Sequence, residues 1–290
     1  DFRLCRRYVA DALRYGGWIA GSSFLSIGGN ALPDLIIGKT LGITAAGLYD
    51  RAATINRMVW GQVYSAIGSV LFPTFASENL AGDNLVQAYL RRLRGVADFL
   101  WPSLAWLAVF GDEAIVFLYG EQWVGSGDAG RALALAAMVS APFFMSRELF
   151  FALGRTRLIF SVDLVVFCVR TVVLMLAAPH GILVLALSFA VPNLVFTLVS
   201  QYTLSKLLAM RCGDIARAVG RPFLMTMVYG SGLMLLRHFF ENDGQSSHFA
   251  YLLISGILSL GLMPLLLVLF RSPLVITLKS FLKRDERGML

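Results

Sequence analysis

Residues 158–205 read LIFSVDLVVFCVRTVVLMLAAPHGILVLALSFAVPNLVFTLVSQYTLS, and in the runs 158–178 and 182–205 the only charged side chains are Asp163 and Arg170. A helix needs about 20 residues, at 1.5 Å each, to cross the ~30 Å hydrocarbon core of a bilayer, and each run has that length. The whole chain agrees with this stretch. Of its 290 residues 57% are apolar and 15% charged, against roughly 25% charged in an ordinary soluble domain. So few charges cannot clothe a water-soluble surface of this size, which excludes a soluble enzyme and predicts an all-α, polytopic membrane protein.

Working outward, eight runs have spanning length: 16–38, 46–73, 96–118, 130–153, 158–178, 182–205, 222–240 and 249–270. Gly16, Gly17, Gly28, Gly29, Pro33, Pro102, Pro142, Pro192, Gly230 and Gly232 fall inside them, which lipid-embedded helices tolerate when neighbours re-satisfy the backbone. The net charge of +7 would suit a nucleic-acid partner, but the basic residues fall between the runs and alternate in side. Arg3, Arg6, Arg7 and Arg14; Arg91, Arg92 and Arg94; Arg155 and Arg157; Lys206, Arg211, Arg217 and Arg221; and Arg271, Lys279, Lys283, Arg284 and Arg287 share one side. Lys39, Arg131 and Arg237 lie on the other, with Asp112, Glu113, Glu121, Asp128, Glu241 and Asp243. Positive loops stay in the cytoplasm, so both termini are predicted there, in a multi-pass protein of the cytoplasmic (inner) membrane, and no nucleic acid is expected. The longest polar stretches, 76–95 and 119–129, are too short for domains, which confines chemistry to the helices.

The chain carries no Walker-type loop, H-E-x-x-H or G-x-S-x-G, so an ATP-driven pump, a zinc protease and a serine hydrolase lack their motifs, and no enzymatic activity, metal or cofactor is expected. Cys5, Cys168 and Cys212 share no close spacing and read as small, buried or inert thiols. His180, His238 and His248 stand near outer ends of runs, as headgroup-level residues. The first residue is Asp1 rather than Met, and the chain is read as a fragment.

Ionisable residues inside the membrane cost about 2.5–3.5 kcal/mol each even on insertion scales, so each asks for a partner or a wet cavity. In the second run Asp50 and Arg57, seven apart, lie within about 20° of one another on a helix, and Arg51 is rotated by about 100° from Asp50. With Asn56 and Gln62 they read as a cavity wall on which Arg51 and Arg57 bind a phosphate or diphosphate through planar donor forks, oriented by Asp50. Arg147 and Asp163 each lie eight residues from position 155 in the turn between the fourth and fifth runs, so they stand level and pair, as a structural ion pair. Glu148 and Arg170 then lack an obvious partner and are candidates for coupling or for facing the cavity. Asp34, after Pro33, is a candidate for the cavity or for cation coupling, and Asp98 is expected at the interface.

Four stretches together carry a family resemblance: Asp34-Leu-Ile-Ile-Gly-Lys-Thr-Leu-Gly, Ala46-Gly-Leu-Tyr-Asp-Arg-Ala, Ser69-Val-Leu-Phe-Pro-Thr-Phe-Ala and Phe117-Leu-Tyr-Gly-Glu-Gln-Trp. In this order they resemble the C-terminal part of the Wzx-type polysaccharide (O-antigen) flippases, of the multidrug/oligosaccharidyl-lipid/polysaccharide exporter superfamily. The resemblance implies two six-helix lobes, this chain supplying the second: residues 1–206 as that lobe, and 207–290 as two additional transmembrane helices with a basic cytoplasmic tail. It implies transport of an undecaprenyl-diphosphate-linked oligosaccharide by alternating access, for polysaccharide or lipopolysaccharide biosynthesis, with proton or sodium coupling open. The related lipid II flippases carry an Asp-Arg pair near the start of the eighth helix, matched by Asp50-Arg51. The implied partners are membrane lipid, the lipid-linked oligosaccharide, the missing N-terminal lobe, and polysaccharide polymerase or assembly proteins.

Three other readings remain: a drug or metabolite exporter of the same superfamily, an integral-membrane glycan polymerase or ligase, and a scaffold. The first would want acids and aromatics rather than arginines. The second would want a sizeable outer loop with catalytic side chains, and buried charges disfavour the third.

Overall fold

The computed structural model describes residues 6–81 and 84–243, together with Ser255, Gly256, Leu258, Gly261 and Leu265. Among the described residues there is no strand. The helices are α1 (Arg6–Thr40), α2 (Ile43–Ala81), α3 (Leu85–Tyr119), α4 (Gly127–Met138), α5 (Met145–Ala152), α6 (Thr156–Ala177), α7 (Ile182–Ser188), α8 (Ala190–Leu208) and α9 (Cys212–Asp243), with short 3-10 turns at Glu121–Ser126, Ala141–Phe144 and Ala178–His180. The expected eighth span, 249–270, the tail after it, Cys5 and His248 lie outside the described residues, apart from the five single positions named.

Helices α3, α6, α7 with α8, and α9 are each long and apolar enough to cross a membrane, and α4 with α5 makes a fifth if the bent pair is one span. The protein is therefore an all-α, multi-pass membrane protein. Helix α3 is its interior. Of its most apolar stretch 61% is buried, against 17–28% for the other three, whose outer faces are left for lipid. Helices α1 and α2 have 35 and 39 residues, but not the apolarity expected of spans 16–38 and 46–73, because α1 is rich in Gly, Ser and Asn and α2 carries Asp50, Arg51 and Arg57.

The small residues of α1 are spent on close packing. A Cβ at Gly21 would stand 2.8 Å from the Phe160 ring, and one at Gly28 3.5 Å from Phe167. Both pairs repeat after seven residues, nearly two turns, so α1 and α6 run side by side in the same direction with the rings of α6 over the glycines of α1.

The expected fourth span, 130–153, is not one helix. It bends by 56° between the halves Glu121–Met138 and Ala141–Ala152. Pro142 has no N–H to give, and the break frees carbonyls that would be costly in lipid. Neighbouring helices supply the donors. Asn193 Nδ2 of α8 donates to Ala136 O at 2.8 Å, Thr197 Oγ1 to Val139 O at 3.1 Å, and Trp101 Nε1 of α3 to Met138 O at 2.7 Å. One half-turn of irregular backbone is thus held from two sides.

The polar stretch 76–95 is largely helical rather than a loop, since α2 runs on to Ala81 and α3 starts at Leu85. Arg92 clips the two, donating to both Glu78 oxygens at 2.6 and 2.7 Å, with its guanidinium 4.5 Å from the Phe75 ring. Asp98 lies well inside α3 and is 2% exposed. At the opposite end Arg237 of α9 reaches Asp112 at 3.0 Å and Glu113 at 3.4 Å, and Arg131 of α4 reaches Asp112 at 3.4 Å. Cys168 and Cys212 are exposed rather than buried.

Candidate functional site

A cavity of about 510 Å³ opens at the break in the fourth span, lined there by Ala137, Ser140 and Phe144. Helix α1 contributes Leu25, Ser26, Gly29 and Asn30, α2 Trp60, α5 Arg147, α6 Asp163, Val166, Phe167 and Arg170, and α8 Asn193 and Phe196. A second cavity of about 220 Å³ adds Pro33, Tyr49, Ala53, Asn56, Arg57, Leu104, Leu133 and Phe189. Gly29, Asn30, Trp60, Ala137, Arg170 and Asn193 line both, so the two are compartments of one space. Irregular backbone at membrane depth is tolerated where it lines such a cavity.

Arg170 stands at the junction. Its guanidinium lies 5.7 Å from the Phe189 ring centroid, and a Cβ on Gly29 would meet its Nη1 at 3.0 Å. The absence of a side chain at position 29 is what lets the arginine lie across α1. Among the described residues no carboxylate is within ion-pair distance of Arg170, and its Nε is buried without a hydrogen-bond partner. Phe189 also stacks on Tyr49, with centroids 6.3 Å apart.

Arg147 and Asp163 meet across the α5–α6 turn, Nη2 to Oδ1, at 2.5 Å. Ser22 of α1 completes a triad, its hydroxyl donating to Asp163 Oδ2 and accepting from Arg147 Nη1 at 3.0 Å. Asp163 is 8% exposed at its side chain and Arg147 25%, and both line the larger cavity. Glu148, one residue on, is buried and engaged by other groups, and lines neither cavity.

The second-helix candidates separate. Arg57 Nη2 donates to Asp50 Oδ1 and to Thr54 Oγ1, both at 2.7 Å, and Arg57 lines the smaller cavity. Its pair with Asp50 is open, the side chains being 52% and 42% exposed. Arg51 lines neither cavity. It is sandwiched between Tyr119 at the end of α3 and Trp123 in the following 3-10 turn, 5.2 and 5.1 Å from their ring centroids, as the 100° rotation from Asp50 allows. Asp34 lies beside Pro33, its Oδ1 buried with no hydrogen-bond partner among the described residues.

Several wall residues were not singled out in the sequence. Asn30 and Asn193 had a signal, an amide inside an apolar run, and Trp60 had none. Gln201 had the same signal, and with Tyr89 and Ser146, which had none, it forms a buried cluster joining α3, α5 and α8: Tyr89 Oη donates to Gln201 Oε1 at 3.1 Å, and Gln201 Nε2 to Ser146 Oγ at 2.7 Å. The cavity wall therefore carries three arginines against one aspartate, with amides, hydroxyls and aromatic faces between them. It can hold an anion and a polar, ring-shaped headgroup.

Residues 1–128 match the family model described as "Polysaccharide biosynthesis protein". The chain is 23% identical over 225 residues to the teichuronic acid biosynthesis protein TuaB of Bacillus subtilis, covering 77% of this chain and 47% of that protein. It is 28% identical over 115 residues to the lipopolysaccharide biosynthesis protein WzxC of Escherichia coli, covering 40% and 23%, and 28% identical over 110 residues to the succinoglycan biosynthesis transport protein ExoT of Rhizobium meliloti, covering 38% and 22%. The chain thus spans about half the length of TuaB, and no solved structure matches it. These matches agree with the four motif stretches of the sequence, and the chain is similar to the Wzx-type polysaccharide flippases.

Proposed function

We propose that residues 1–206 form the C-terminal lobe of a transporter that moves an oligosaccharide linked by diphosphate to a polyprenyl carrier across the cytoplasmic membrane by alternating access. The observation that carries this reading is the cationic cavity at the broken helix, with Arg170 common to both compartments. The barrier to such a substrate is the desolvation of its charged, hydrated headgroup in a ~30 Å apolar slab. A wet cavity with guanidinium forks lowers it, each charge-assisted hydrogen bond contributing about 1.5–3 kcal/mol. Arg170 and Arg57 take the diphosphate, while Trp60 and Phe196 offer faces, and Asn30, Asn193 and Ser140 polar groups, to the sugars. Arg51 positions the aromatic pair at the end of α3 instead of contacting the diphosphate.

The missing partner in this scheme is an N-terminal lobe, which supplies the other cavity wall, with both termini of this segment cytoplasmic. Residues 207–290 add two further spans and a basic tail. Of the acids considered for proton or sodium coupling, Asp34 keeps a buried, unpartnered oxygen, and coupling is assigned to it. The test is export of surface or secreted polysaccharide in a strain whose only flippase is the full-length R170A variant. Export is expected to fall at least tenfold with unchanged membrane levels of protein; normal export overturns the assignment.

A further inference from the structure

A second polar cleft, of about 420 Å³, lies at the opposite end of α1 from Asp34. It is lined by Tyr15 and Trp18 of α1 and by Gly154, Arg155, Thr156, Arg157 and Leu158 at the α5–α6 turn. We propose that this cleft binds the phosphate of an anionic phospholipid headgroup, as a site separate from the transport cavity.

Four observations lead there. The turn joins two spans and so sits at the membrane surface, on the side the arginine distribution assigns to the cytoplasm. Both guanidinium groups line the cleft and are exposed, and among the described side chains neither has a carboxylate partner. Arg157 is held 5.9 Å from the Trp18 ring centroid, and Tyr15 Oη donates to Phe151 O at 3.3 Å, which ties the floor of α1 to the end of α5. Trp and Tyr are also the side chains that settle at headgroup depth, one face apolar and one edge polar. A cleft with two donor forks over an aromatic floor suits a phosphodiester whose glycerol and acyl chains continue into the bilayer.

The full-length protein, purified in a mild detergent, is titrated with phosphatidylglycerol or with phosphatidylcholine of the same acyl chains, and bound lipid is counted by native mass spectrometry. Wild type is expected to prefer phosphatidylglycerol. R155Q and R157Q each weaken its binding about fivefold, and the double variant about thirtyfold, from the ~1 kcal/mol each basic side chain contributes at an anionic surface. The R155K/R157K variant keeps most of the binding, and K39Q, which removes one charge at the far end of α1, keeps all of it. Equal retention of phosphatidylglycerol by wild type and the double glutamine variant overturns the site. Displacement of the lipid by millimolar inorganic phosphate overturns the lipid assignment in favour of a soluble anion. Export is not read in this experiment, so its outcome is independent of the transport proposal.

Discussion

Removing one member of the Ser22–Arg147–Asp163 triad should hurt in proportion to what it strands. In R147A the Asp163 carboxylate, 8% exposed, keeps only the Ser22 hydroxyl; an uncompensated buried charge of this kind costs about 3–5 kcal/mol. D163A strands Arg147 instead, but that guanidinium is 25% exposed and keeps its hydrogen bond to Ser22. Its loss is closer to that of one hydrogen bond to a charged group, about 1.5–3 kcal/mol. Replacing both with apolar side chains of similar volume, R147M/D163L, leaves no charge to strand and should return stability to within about 2 kcal/mol of wild type.

The assay is a double-mutant cycle of R147A, D163A and R147A/D163A on the full-length protein, with R147M/D163L measured beside it, unfolded by titrating SDS into mixed micelles and followed by far-ultraviolet circular dichroism. A coupling of about 3 kcal/mol is expected. The charge swap R147D/D163R adds a second check, because the Ser22 hydroxyl can rotate to serve the reversed pair as donor and acceptor. It should be more stable than R147A. Losses that sum to within about 0.5 kcal/mol across the cycle would refute the reasoning, since independent sites add to that accuracy.

R51A should lower the SDS midpoint, by about 1–2 kcal/mol for two lost cation–π contacts, while leaving binding of a polyprenyl diphosphate, measured by its protection of the purified protein against unfolding, within twofold of wild type. N193L leaves Ala136 O without its donor at the helix break, and a buried unsatisfied carbonyl costs about 1–3 kcal/mol, read in the same titration. G29A places a Cβ 3.0 Å from Arg170 Nη1 and 3.6 Å from Phe167; polysaccharide export should fall several-fold with the SDS midpoint nearly unchanged, because a guanidinium can move aside more cheaply than a packed ring.

What the sequence discloses here follows how local the cause is. Span positions depend on run length alone, and α3, α6, α7 with α8, and α9 lie where unbroken apolar runs predict them. The register of Arg147 and Asp163 is nearly as local, because the three-residue turn Leu153–Arg155 sets both helices and equal distances from position 155 put the two side chains level. The bend in the fourth span is different. Pro142 marks a place where a helix can break, but Pro33, Pro73 and Pro222 lie within continuous helices, and the kink in α3 falls at Phe110 rather than at Pro102. What distinguishes Pro142 is that Trp101, Asn193 and Thr197, distant in sequence, meet the freed carbonyls.

The same reasoning separates the arginines. Arg51, Arg57, Arg147 and Arg170 are alike as charges inside apolar runs. Their neighbours then assign them: aromatic rings about 70 residues on for Arg51, an aspartate two turns back for Arg57, a hairpin partner for Arg147. Arg170 is left between Gly29 of α1 and Phe189 just before α8, with no carboxylate of the described residues within ion-pair distance. A guanidinium kept out of ion-pair contact at the junction of the two compartments carries a standing electrostatic cost, which an anionic headgroup of the proposed substrate would relieve on entering the cavity.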